Sequence, residues 1–75
     1  MLENMRALFG ANVRHARLKA KLTQVQVQEL TGIQQHYISE LENSWHNPTL
    51  DTMTTLARAI GADVHSLLRR PPKRR

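Results

Sequence analysis

Between residues 34 and 47 the chain concentrates polar side chains able to exchange hydrogen bonds: Gln34, Gln35, His36, Tyr37, Ser39, Glu40, Asn43, Trp45, His46 and Asn47. Three apolar residues, Ile33, Ile38 and Leu41, are set at spacings of five and three. At helical pitch that spacing turns Gln35, His36, Ser39 and Glu40 away from the apolar side. A carboxamide can bond the N6 and N7 edge of adenine in two places, an imidazole can donate to guanine, and a carboxylate can accept from cytosine N4. The chemistry on offer is recognition of base edges. Catalysis is not indicated, because no nucleophile–base pair, glycine-rich phosphate loop or paired carboxylates appear. The four histidines (His15, His36, His46, His65) include no pair four apart, and with no cysteine to join them no metal or cofactor is expected.

Such a face needs a helix to carry it and a scaffold to aim it. Residues 23–30 read as a short helix: Thr23 is a good N-cap, Gln26 completes a capping box, and Val27 and Leu30 form the buried side. Gly32 suits the left-handed position that ends a helix. A second helix covers residues 34–43, with Gln34 a weak N-cap. Two short helices joined by a glycine turn make a helix-turn-helix. An earlier helix spans residues 3–20, with Leu8 or Phe9, Val13, Ala16 and Ala20 inward and Arg17 on the stripe's edge. After the 44–48 loop, Thr49 caps a fourth helix, with Asp51 in its first turn and Leu50, Met53, Leu56, Ala57 and Ile60 inward up to Gly61. Asp63 caps a last helix bearing Val64, Leu67 and Leu68, which Pro71 and Pro72 stop.

Seventy-five residues suffice for one small core. No apolar run approaches the ~18 residues of a membrane span, and residues 1–15 do not read as a signal peptide. A cytoplasmic protein is expected. The net charge of +5 is unevenly placed. Five of the eleven basic side chains fall in residues 69–75, RRPPKRR, while the other six balance six acids. The expected organisation is a folded domain over 1–68 and a basic, disordered tail over 69–75 that adds salt-sensitive phosphate affinity. Residues 23–43 hold no Lys or Arg, so the basic character belongs elsewhere.

Several stretches together resemble the small DNA-binding domain of phage repressors and Cro, the XRE-type helix-turn-helix family. They are Leu22-Thr23-Gln24, Leu30-Thr31-Gly32-Ile33, Ile38-Ser39-Glu40-Leu41-Glu42-Asn43, Asn47-Pro48-Thr49-Leu50 and Leu56-Ala57-Arg58-Ala59-Ile60-Gly61. The resemblance covers residues 5–68. It implies an all-α, five-helix, lambda-repressor-like fold and a sequence-specific regulator of transcription, a repressor or autoregulator, bound to double-stranded DNA. Gln35, His36, Ser39 and Glu40 would then meet bases. Gln24, Gln34, Tyr37, Asn43, Trp45, His46 and Asn47 would meet phosphates, and Arg17 would pair with Glu42. The same fold also serves antitoxins that bind a toxin partner and adaptors that bind protein. A palindromic operator and a homodimer are expected, with Leu67 and Leu68 as either dimer surface or core. Two departures stand out: Gln28 where the family usually has alanine, and Ser44 where glycine is common. Trp45 either anchors its loop on the core or lies against DNA.

Overall fold

A computed structural model describes residues 4–70. The five helices are α1 (Met5–Lys19), α2 (Gln24–Thr31), α3 (Gln35–Glu42), α4 (Leu50–Ala59) and α5 (Val64–Leu67). The described residues contain no strand, so the Val-Gln-Val-Gln alternation at 25–28 is overridden by its cap. Thr23 accepts from the Gln26 amide while the Gln26 side chain accepts from the Thr23 amide. α1 begins at Met5 rather than Glu3 because Asn4 caps it, its side chain accepting from the Ala7 amide. Gly32 ends α2 at φ 78°, its N–H returning to the Gln28 carbonyl. Ser44, at φ 73°, takes the same left-handed conformation without being glycine.

One core lies among the helices: Phe9 and Val13 from α1, Val27 from α2, Ile38 and Leu41 from α3, Leu56 and Ala57 from α4, then Ile60 and Leu67. Three residues assigned inward from sequence are outside it: Ala20, Leu30 and Leu50, of which Ala20 is the exposed cap residue just after α1. Leu30 is 62% exposed and Leu50 69% exposed. The inward line of α2 runs through Gln24, Val27, Gln28 and Thr31, all at least partly buried, and Leu30 falls beside it. Leu50 lies one turn before Met53, past the core's edge. Leu67, by contrast, is 2% exposed. It is core, so it is not available as a dimer surface, and Leu68 is partly buried against the same cluster.

Two polar or small residues set how α1 meets its neighbours. Gly10 is buried where α1 crosses α3, and a Cβ there would press on the Leu41 carbonyl oxygen and the Glu42 backbone. The Asn12 amide donates to the carbonyls of Leu67 and Arg69, each at 2.8 Å. It thereby supplies donors to carbonyls at and just beyond the end of α5 that the helix itself cannot satisfy, and the tie to Arg69 reaches into the 69–75 stretch. Residues 71–75, most of the expected tail, lie outside the described residues.

Candidate nucleic-acid interface

The candidate surface is built outward from a buried ion pair. Arg17 on α1 and Glu42 at the end of α3 are 7% and 8% exposed. Arg17 Nε donates to Glu42 Oε2 at 2.7 Å and Nη2 donates to Oε1 at 3.1 Å, while Nη1 donates to the Leu22 carbonyl at 2.8 Å. This forked geometry engages each of the three guanidinium nitrogens and matches the buried carboxylate with a buried cation. The pair expected from the resemblance is therefore present and locks α1 to α3.

From Glu42 a chain of amides leads to the surface. Gln24 Nε2 donates to Glu42 Oε1 at 3.1 Å, and Gln24 Oε1 accepts from Gln35 Nε2 at 2.6 Å. Gln35 opens α3, so its side chain is held by the start of α2 rather than left to sample rotamers. Its backbone is held as well. Gln34, the N-cap residue, makes no side-chain cap. Instead Gln28 Oε1 accepts from the Gln35 amide at 2.6 Å, doing from the neighbouring helix what Gln34 does not. Gln28 thus turns along the α2–α3 angle. Sequence reasoning noted it as a misfit and missed this role. The signal was a helix start with no local cap, seven residues after a side chain able to supply one.

The remaining face of α3 is polar and open. His36, Glu40 and Asn43 are exposed and Ser39 is half-buried. Asn43 Nδ2 donates to the Ser39 carbonyl at 2.9 Å, tightening the helix end. The loop folds back on α3: the Ser44 amide bonds the Leu41 carbonyl and the Trp45 amide the Glu40 carbonyl, both at 3.0 Å. Trp45 is 76% exposed, which removes the option of a core anchor. His46 turns toward α3. Its ring stacks on Tyr37 with centroids 4.1 Å apart, and Nε2 lies 2.8 Å from Glu40 Oε1. Tyr37 in turn packs against the core cluster. Asn47 is set apart, lining a cleft with Pro48, Met5, Arg6 and Phe9.

Positive charge comes to this surface from α1. Arg14 and His15 line one cleft with Gln24, Glu42 and Asn43, which places an exposed arginine beside two of the expected phosphate contacts. Among the described residues no group of three or more His, Asp or Glu side chains could hold a metal ion, and no helix is long and apolar enough to cross a membrane.

Comparison with known proteins agrees with this geometry. The helix-turn-helix family model matches residues 13–67. An uncharacterised HTH-type transcriptional regulator of Sinorhizobium fredii is 41% identical over 58 residues, covering 77% of this chain and 75% of the relative. Control protein C.SmaI of Serratia marcescens is 34% identical over 67 residues, covering 89% and 80%. The crystal structure of the restriction-modification controller protein C.AhdI from Aeromonas hydrophila superposes with a TM-score of 0.78 at 26% identity, covering 83% of this chain and 94% of that one. The chain belongs to the helix-turn-helix family, in its XRE-type branch of DNA-binding transcriptional regulators.

Proposed function

We propose that α3 lies in the major groove of an operator, that Gln35, His36, Ser39 and Glu40 meet its base edges, and that occupancy represses transcription or autoregulates the chain's own promoter. Gln24, Gln34, Tyr37, Asn43, Trp45 and Asn47 form the rim that meets phosphate and sugar. The observation that carries the reading is the Arg17–Glu42–Gln24–Gln35 relay. A side chain that reads bases must be held before it meets them, because ordering it afterwards costs rotamer entropy. Gln35 is tied by two hydrogen bonds to α2, yet sits at the tip of the polar face. Autoregulation is supported by likeness to a protein named for control.

The same geometry favours a dimer. An eight-residue helix is about 12 Å long, close to the ~12 Å width of the major groove. Such a helix reaches only a few base pairs, too few to mark a site in a genome. Two copies on a palindrome, half-sites about 34 Å apart, double the read sequence. Selection from randomised duplexes, followed by anisotropy on the winners, tests this. A two-fold symmetric consensus is expected, and Gln35→Ala should relax one position per half-site by about 1–3 kcal/mol. Recovery of no consensus refutes the reading.

A further inference from the structure

An acid on a groove-facing helix is a liability, since it meets a polyanion. α3 carries one in Glu40, which is exposed. The α3–α4 loop answers it with a single residue. His46 is clamped flat on the Tyr37 ring, at 4.1 Å and 20° between planes. Its Nε2 lies 2.8 Å from Glu40 Oε1. A carboxylate can only accept, so Nε2 must carry the proton and donate. With one oxygen engaged by the loop, the other makes no hydrogen bond among the described residues.

We propose that His46 is a positioning residue for DNA recognition: held by Tyr37, it offsets the charge of Glu40 and aims its free oxygen, so that an acid on α3 can accept from a cytosine amino group. This rests on the reading that α3 enters the groove. It replaces the direct phosphate contact expected of His46, because the Nε2 donor is already committed to Glu40. In the free protein the two side chains are 31% and 50% exposed, so their pairing adds little to stability. Against DNA the pair loses water, and removing one partner then leaves the other charge without compensation. The effect of His46 should therefore show in binding and in base preference, and hardly at all in melting.

The test is a double-mutant cycle on the full chain: wild type, H46A, E40Q and E40Q/H46A, each measured by anisotropy against the selected duplex and its single-base variants, with a melting curve for each. The expected result is that H46A weakens binding by about tenfold or more and loses preference at the same base pair that E40Q alters. E40Q/H46A should bind within about threefold of E40Q, because nothing remains for His46 to hold. His46→Gln, which keeps an N–H donor, should restore part of the loss. All melting midpoints should agree with wild type. An equal loss from H46A in both Glu40 backgrounds would show His46 acting on DNA by itself and overturn the proposal, as would unchanged binding by H46A. A wild-type chain that selects no consensus refutes the groove reading first, and this inference with it.

Discussion

Replacing Arg17 with alanine tests the connection between stability and reading. The substitution removes three donors at once: two to Glu42 and one to the Leu22 carbonyl. Glu42, with a side chain only 2% exposed, would keep Gln24 as its one remaining side-chain donor among the described residues. Stranding a buried charge in this way costs about 3–5 kcal/mol. A chain of this length has a total stability of about 4–11 kcal/mol, so half of it is at stake, and the melting midpoint should fall on the order of 20 °C. Circular dichroism against temperature and urea measures this. The companion variant Arg17→Met with Glu42→Leu separates charge from shape. An apolar pair of similar volume is often neutral or stabilising relative to an ion pair, so most of the midpoint should return. DNA affinity should not, because Gln24 has then lost the carboxylate that aims it at Gln35. An unchanged midpoint in Arg17→Ala would mean that water already screens the pair. A double variant as unstable as the single would show that packing of the arginine stem, not charge, holds α1 to α3.

Three further substitutions probe other parts of the frame. Gln28→Ala should cost about 0.5–2 kcal/mol, the worth of a helix cap, and weaken DNA binding beyond that, read by urea melts and anisotropy side by side; an effect on neither would deny Gln28 its capping role. Gly10→Ala should destabilise by about 1–3 kcal/mol through overpacking, despite alanine's better helix propensity, because the atoms it meets are backbone; a stabilised variant would show that α1 and α3 can separate freely. Deleting residues 71–75, which carry Lys73, Arg74 and Arg75, should reduce the slope of log affinity against log salt by up to about 3 per protomer without changing base preference, and equal slopes would exclude the tail from the interface.

The helices were legible because their ends are local. The Thr23–Gln26 box, the left-handed Gly32 and the Thr49 and Asp63 caps each act within a few residues, so a linear reading finds them. What failed was the assignment of side chains to the core at helix ends. Leu30 and Leu50 fit an apolar stripe by spacing, but a stripe continues past the point where its neighbours stop. Whether its last member is covered depends on where another helix ends. Leu67 shows the reverse: its spacing left it open between a partner surface and the core, and its own fold encloses it. Long-range ties were hidden for a related reason. Asn12 meets carbonyls 55 and 57 residues away, and no spacing rule connects them.

At the site the types of residue were legible and their couplings were not. A polar face with amides, an imidazole and an acid can be read from the 33–41 pattern alone. That Gln24 works in both directions, donating to Glu42 and accepting from Gln35, depends on the angle between two helices. The coupling also settles the question raised by a reading unit without Lys or Arg. Of its three acids, Glu42 is matched by Arg17 from α1 and Glu40 is bonded by His46 from the loop. On the proposed reading, this face is made tolerable to a polyanion by elements on either side of it, and attraction would fall to Arg14 beside Gln24 and Asn43 and to the basic residues of the 69–75 stretch. Charge that attracts and groups that discriminate would thus sit, on that reading, on different elements. Added salt should therefore lower affinity for every duplex by nearly the same factor and leave the ratio between operator and variant sites almost unchanged, a separation that a lysine-rich recognition helix would not give.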